Sequence, residues 1–577
     1  MFKRSENKQI DLFKNIGVHL SLRKNKILSD LNGWHNVFWD QVTSRIDESS
    51  YSVLYDKNRG RPNASIRVLI GMMILKEGNG WSDEQLFEQS RFNLKVMQAL
   101  GLCAIDQDVP VESTYYEFRS LLSDHYDRTG EDLIHSTFIQ ITTEQIGEFN
   151  ISGKKIRLDS KLIQSNIARS SRLQLILEAV RVSIQPMDIS ILKGHVSEGQ
   201  YGLLEQLCEK TTSNITYTLN KEEQQKMLVD LGYIIKAILE PGHNTEGNSV
   251  LKRIYTEQYN QNEDDQKQDD QTEENSNDQS SAGEAPRIEP KPPEDISSSS
   301  VQSIHDPEAA YRKKGQGVST QTVSGFHANI TETCDEHDSI NLITSVEVVP
   351  ANVCENEFLL PAIEQTQQVL GGEQKQVEQV ITDGGYDSVG NRKAMVSEDS
   401  PEWSLAKLKG RQRAYEMEFT DHGELKVKNK NTSEACEVTY SEKAKKYRIK
   451  TKQGTWRYMT KEQVLSYIDA QTIMSQSSTE SYNLRSNVES TIHQTFHRIK
   501  KRQKIVYRGL IKCQWYVLSR AMWVNMTRIS NNFQEIGLFF SNSLFPHTSR
   551  PHNKESPIAS WHAIFASLNF SDVQKQY

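Results

Sequence analysis

Three acidic residues far apart in the chain stand where carboxylates can do phosphate chemistry. Asp159 closes the strand-like segment KKIRLDS (154–160), Asp383 closes VEQVITD (377–383) just before Gly384-Gly385, and Glu489 lies in a helical pattern. A carboxylate at a strand end projects from the sheet edge on a rigid support, where several can converge. Such hard oxygen ligands suit Mg²⁺ or Mn²⁺, which keep waters and bind substrate phosphates. Two ions roughly 4 Å apart can activate an attacking water or 3′-hydroxyl and stabilise the leaving oxygen. An aspartate at a strand end is ordinarily a turn or capping residue. Position alone therefore assigns nothing, and the surroundings of the third acid carry the argument.

Glu489 follows Tyr482 and Arg485 in YNLRSNVE. On a helix Arg485 and Glu489 are one turn apart on one face, with Tyr482 three residues further back. The plain reading is a helix-stabilising ion pair, worth a few tenths of a kcal/mol. The functional reading is an arginine fork and a tyrosine hydroxyl gripping a phosphate beside a metal-binding carboxylate. From Arg485 to Arg528 there are ten Lys or Arg against the single acid Glu489. The densest part, RIKKRQK, supplies Arg498, Lys500, Lys501, Arg502 and Lys504. Such a surface suits duplex DNA through counterion release, and its bland alternative is a solvated basic helix face. Trp515 and Trp523, eight apart on one helical face, are expected to pack in the core.

The motif Tyr-x2-Arg-x3-Glu resembles the signature of a large group of bacterial insertion-sequence DDE transposases. Ile381-Thr-Asp-Gly-Gly-Tyr-Asp387 looks like that family's second-Asp block, and Lys155-Ile-Arg-Leu-Asp-Ser160 like its first. His305 to Ala310, Gly325 to Asn329, GRPNASIRVLIGMMILKEGNGWSDEQL and VPVESTYYEFRSLL resemble its remaining blocks. The likeness covers most of residues 50 to 530. The family motif normally continues with a Lys seven residues after the Glu, where this chain has Phe496. Arg498 and Lys500 are close by, so that contact is displaced or the signature is partly degraded.

The resemblance implies an α/β fold with a ribonuclease-H-like mixed sheet and flanking helices. It also implies catalytic and metal-binding roles for Asp159, Asp383 and Glu489, and two ions, Mg²⁺ or Mn²⁺. The partner would be double-stranded DNA, both terminal inverted repeats and target, bound by at least a homodimer because two ends are cut together. Trp456, in the segment between Asp383 and Glu489, would stack on a flipped base, against the alternative of a core tryptophan. His327 would lie on the strand beside Asp159 near the scissile phosphate, or be satisfied structurally. Asp387 and Asp306 are weaker metal candidates. Two rivals stand: a descendant that binds element ends without cutting, and a nuclease of the same core that nicks without joining.

The elements that must position these residues can be read in outline. Residues 1–150 read as a helical DNA-binding domain, with helix starts at Pro62, Ser82 and Thr114 and stops at Gly78, Gly80 and Gly101. Residues 151–255 open the catalytic core and turn helical. Residues 256–300 read as a disordered acidic linker, 301–400 continue the core, and 401–465 form a β-rich insertion. Residues 466–535 supply basic helices that complete the core, and 536–577 form a tail. Between Glu257 and Ser300 thirteen acids face Lys267, Arg287 and Lys291. That stretch carries −10 of the chain's −8, so the rest is +2. The acidity is local and does not argue against a nucleic-acid partner. Six scattered cysteines indicate neither a disulfide framework nor a zinc knuckle. A polar amino terminus and no apolar run of membrane length point to a cytoplasmic, nucleoid-associated protein with no membrane partner.

Overall fold

Capping residues set helix boundaries in the amino-terminal region. Helices α1 to α7 occupy Leu22–Leu28, Trp34–Gln41, Ile66–Asn79, Asp83–Phe92, Leu94–Ala99, Glu112–Thr129 and Leu133–Glu148. The computed structural model describes all residues except 5–14, 105–106, 169, 218, 241–247, 261–287, 316–319, 372–374, 397–399, 406–414, 421, 431, 451–453, 477–478, 498–503 and 545–577; the side chains of 476–486 and 536–544 also lie outside it. Helix α3 is apolar nearly all round and buried nearly all round. Ser65 caps its start, and Gly80 ends it in the left-handed region at φ 68°. Ser82 and Gln85 form the expected capping box.

Two boundaries differ from expectation. The helix expected to run from Ser82 to Gly101 is two helices, because extended Asn93 breaks it and caps α5 with its own side chain. Helix α6 starts at Glu112, so Thr114 lies inside its first turn rather than before it.

Strand β1 spans Lys155–Gln164. Asp159 is therefore mid-strand and not at a strand end as expected. The next helices, α8 to α12 (Arg172–Ile184, Glu198–Glu209, Thr212–Thr216, Lys221–Leu239 and Ser249–Gln258), close around their own apolar core. The expected disorder of the acidic linker is corrected at both ends. There β2 (Tyr259–Asn260) pairs antiparallel with β3 (Glu289–Pro290). Tyr259, Ile288 and Val301 are buried in that helical core, and burying them offsets the entropy of ordering the flanks. The stretch 261–287 lies outside the described residues.

Strands β4 (Ala310–Lys314), β5 (Gln321–Thr333) and β6 (Ile343–Pro350) follow, with β5 antiparallel to β1, β4 and β6. Helix α13 (Leu359–Leu370) packs on β6 and α7, and Gly371 ends it. Then β7 (Gln379–Thr382) pairs parallel with β1, α14 (Val389–Met395) intervenes, and β8 (Glu402–Leu405) pairs parallel with β7. The result is a six-stranded mixed sheet in the order β4-β5-β1-β7-β8, with β6 also on β5.

Residues 415–460 are β-rich. Strands β9 (Tyr415–Phe419) and β10 (Leu425–Asn429) make one pair, and β11 (Val438–Ser441), β12 (Lys446–Lys450) and β13 (Trp456–Thr460) a second sheet, over a small shared core. Helices α15 (Lys461–Gln476), α16 (Thr479–Phe496) and α17 (Leu510–Leu544) complete the described chain. Helix α16 lies against β1 and β7. By compactness the chain divides into Met1–Ser530 and Asn531–Tyr577, and of the second unit only the continuation of α17 is described. Among the described residues no helix is long and apolar enough to cross a membrane.

Candidate active site

The register of β1 and β7 brings the first two acids to one level. Lys155 pairs with Gln379, Ile156 with Val380 and Arg157 with Ile381. Two residues further along both strands stand Asp159 and Asp383. Equivalent positions on neighbouring parallel strands face the same side of a sheet. Strand β7 ends at Thr382, whose hydroxyl accepts a 2.9 Å hydrogen bond from the indole of buried Trp403. Each carboxylate is braced locally: Asp159 Oδ1 accepts from Ser160 N at 2.8 Å, and Asp383 Oδ1 from Gly385 N at 2.7 Å.

Tyr386 marks the floor of this region. It is buried and donates to Asn329 Oδ1 at 2.6 Å. Burial pushes its phenol well above the ordinary range, and the charges of Asp159, Asp383 and Glu355 push it further. Glu355, from the 3-10 turn Glu355–Phe358 that precedes α13, is thus a third acid on the same residue. A Cβ placed on Gly385 would collide with Glu355 Oε2 and lie 2.8 Å from Asp383 Oδ1. The second glycine after Asp383 is therefore required by two carboxylates flanking one point. Sequence reading missed Glu355, because nothing in ANVCENEF separates it from a helix-capping acid.

Glu489 sits on the exposed side of α16. The stripe beside it is anchored by buried Val488, Ile492 and Phe496. Phe496, where the family motif has Lys, is thus a core residue. Thr491, two residues past Glu489, donates to Glu332 Oε2 at 2.7 Å. Glu332 is fully buried and also takes Arg157 Nε at 2.6 Å and Arg528 at 2.7 Å. Burial alone would raise its carboxyl; Arg528 and Arg157 outweigh that and hold it below the usual range. As they stand, the described residues form no set of three or more His, Cys, Asp or Glu that could hold a metal ion. The β1/β7 pair and the Gly385 cradle suit a magnesium-type ion in chemistry, since that ion takes one or two carboxylates and keeps waters for a phosphate.

His327 pairs with Leu162 across β5 and β1, three positions from the partner of Asp159. It is fully buried, and its Nδ1 lies 3.0 Å from Val353 O. Nδ1 also lies 3.2 Å from Arg312 Nη1, which can only donate, so the carbonyl and the guanidinium favour opposite tautomers of the ring. Nε2 has no hydrogen-bond partner and stands 3.9 Å from Glu355 Oε1. Burial lowers the imidazole to about 4, with Arg312 adding to the effect, so the ring is neutral.

Trp456 is half-buried with the Arg448 guanidinium 4.5 Å from its ring. It is neither a core residue nor an open platform. Asp387 is paired with Arg392 at 2.5 Å, and Asp306 is buried beside the Ser165 hydroxyl. The pair Asp387–Arg392 lines a cavity of about 400 Å³ with Arg457, Tyr458 and Ser466 of the insertion and α15.

Of the basic residues, Lys504 donates to Ile167 O at 2.6 Å, and Arg528 serves Glu332. Arg520 is fully buried, reaching the carbonyls of Glu77, Gly78, Gln494 and Thr495, which ties α3 to α16. The expected basic face is therefore partly an internal scaffold. Charge counting cannot separate the two, because a guanidinium binds carbonyls as readily as phosphates. Arg498, Lys500, Lys501 and Arg502 lie outside the described residues, as do the side chains of Tyr482 and Arg485. Trp515 is buried as expected, donating to Asp132 Oδ1 at 2.9 Å.

No curated protein and no solved structure matches this chain. Residues 24–121, which hold helices α2 to α5 and the start of α6, match the family model described as Transposase domain (DUF772), and this supports a transposase role for the chain.

Proposed function

We propose that the chain is a DDE transposase that cleaves the ends of an insertion sequence and transfers the freed 3′-hydroxyls to target DNA. The observation that supports the reading is the parallel register of β1 and β7, whose last pair lies two residues before Asp159 and Asp383, with the helix that bears Glu489 packed on both strands. The transposase-domain match in the amino-terminal helices supports it independently. On this reading the mixed sheet and its helices are a ribonuclease-H-like core, and Asp159, Asp383 and Glu489 hold Mg²⁺ or Mn²⁺. When bound, such ions supply activation of the attacking hydroxyl and stabilisation of the leaving oxygen.

This chain's own residues have the remaining tasks. Ser160 N and Gly385 N hold the two aspartates in place, and Tyr386 closes the floor beneath them. Tyr482 and Arg485 would grip the phosphate from α16, with Arg498 to Lys504 following the DNA backbone. The working form is at least a homodimer on DNA, acting in the bacterial cytoplasm.

A cleavage and joining assay tests this, using a labelled duplex with the flanking terminal repeat and Mg²⁺. Metal-dependent cutting and strand joining that Asp383→Asn abolishes is the expected result. Cutting without joining would point to a nuclease. Binding without cutting in either metal, by folded protein, would point to a descendant that retains only end recognition, for which Phe496 is the motif departure.

A further inference from the structure

The two small sheets of residues 415–460 carry charge on their outward faces in different ways. Met417, Val427, Ile449 and Met459 are buried in the core the sheets share, so the residues that alternate with them along each strand point outward. On the β9–β10 pair the outward charges balance, with Glu416 opposite Lys428 and Glu418 opposite Lys426. On β11–β12–β13 they do not. Strand β12 presents Lys446, Arg448 and Lys450; Ser441 and Thr439 stand opposite the first two on one side, and Thr460, Tyr458 and Trp456 opposite all three on the other. Glu437 neutralises Lys450 at 3.0 Å. Lys446 and Arg448 have no carboxylate partner among the described residues. Lys443 and Lys445 stand in the turn leading into β12, against Glu442 alone. Arg448 is the centre of this face. Its Cζ lies 4.5 Å from the Trp456 ring centroid and 5.8 Å from that of Tyr458. Its Nε is buried and has no acceptor among the described residues, and a buried donor left without an acceptor is costly. A guanidinium stacked on an aromatic ring keeps its in-plane N–H groups clear of the stack, as a fork for phosphate.

We propose that the outward face of β11–β13 grips the phosphate backbone of DNA, with Arg448, held on Trp456 and Tyr458, as the fork and Lys446 as a second contact. The inference rests on the transposase reading in taking DNA as the polyanion; the face itself is assigned by its uncompensated charge and by the unpartnered Nε. Trp456 then serves the guanidinium and not a base. Strand β13 runs directly into α15, which packs on β8 of the main sheet. A backbone gripped here is therefore held by an element fixed to the sheet of Asp159 and Asp383.

Equilibrium binding of the full chain to a labelled duplex with the flanking terminal repeat, measured over a range of KCl concentrations without divalent metal, tests the grip apart from cleavage. Arg448→Gln and Lys446→Gln should each weaken binding and lower the slope of log K against log salt by about 0.9, and together by about 1.8. Arg448→Lys keeps the charge without the fork, and should restore the slope but only part of the affinity. Glu437→Gln, at a side chain 55 % exposed, frees Lys450 and should tighten binding and steepen the slope. Lys426→Gln, on the balanced pair, is the control for general charge and should leave the slope nearly as it was. An unchanged slope in the Arg448 and Lys446 double variant, or an equal fall in Lys426→Gln, would overturn the assignment and leave the transposase reading standing. No binding by the unaltered chain even at low salt would overturn both. Should Arg448→Gln not fold, Glu437→Gln decides, and a slope equal to that of the unaltered chain overturns the proposal.

Discussion

The two halves of the proposed acid set are held in different ways. Asp159 lies within β1 and Asp383 one residue past the end of β7, so the backbone pairing of those two strands positions both more than their neighbours' side chains do. Glu489 rides on a helix whose seat on the sheet depends on side chains: an apolar stripe, Thr491, and the buried Glu332 with its two arginines. Backbone-held positions are sensitive to little beyond their own side chain. A helix-held position is sensitive to residues on other elements, here Arg157 on β1, Glu332 on β5 and Arg528 on α17.

The largest effect should come from the pair itself. Asp159→Asn and Asp383→Asn should each lower metal-dependent cleavage by roughly 10³-fold or more, since losing a metal ligand forfeits several kcal/mol of transition-state stabilisation. Their thermal unfolding should change little, because the amide oxygen still accepts the local N–H. A large loss of stability would mean the aspartates are structural.

Glu332→Gln attacks the other half. It leaves buried Arg157 and half-buried Arg528 without their charge partner and should cost about 3 to 5 kcal/mol in denaturant unfolding. Full cleavage at temperatures where the variant stays folded would show that the network does not position Glu489. Thr491→Val is the finer probe, close in shape and lacking only the hydroxyl. It should cost about 1.5 to 3 kcal/mol for a hydrogen bond to a charged group, and lower cleavage without altering Mn²⁺ binding at the pair. Equal loss of both would erase the distinction between the two halves.

The smallest effect concerns the contact of the amino-terminal helices with α17. Burial pushes Asp132 up to about 6, although backbone N–H groups and Trp515 favour its charge. A carboxyl raised in the folded state binds its proton there more tightly than when unfolded. Its contribution is therefore best below pH 4 and is lost as pH rises through about 6. Asp132→Asn should remove that slope and stabilise the protein at neutral pH by roughly 1 kcal/mol after solvent screening. An unaltered pH profile between 4 and 6 would show that the Asp132 charge is not strained.

Local signals were legible in the chain because they act over a few residues. Capping at Ser82 and Gln85, the stop at Gly371, the alternation of β5 and β6 and the strand before Asp383 all depend on near neighbours. The limits of the acidic linker were less legible, since three apolar residues in a polar stretch announce nothing until a helical core receives them. The candidate site divides the same way. Strand ends and helical spacing suffice to nominate Asp159, Asp383 and Glu489, but not to say that Asp159 is mid-strand and level with Asp383.

What the sequence by itself determined is therefore the inventory: helices and strands where short-range sterics and hydrogen bonding decide, and acids of a type suited to phosphate chemistry. Only the tertiary structure decided which charges work inside. Arg520, Arg528 and Lys504 look in sequence like any DNA-facing cations, yet they serve carbonyls and a buried carboxylate. Glu355 looks like a helix-start acid, yet it stands across Gly385 from Asp383. The reason is physical: a charge's role depends on what desolvates it and what faces it, and both are set by residues hundreds of positions away.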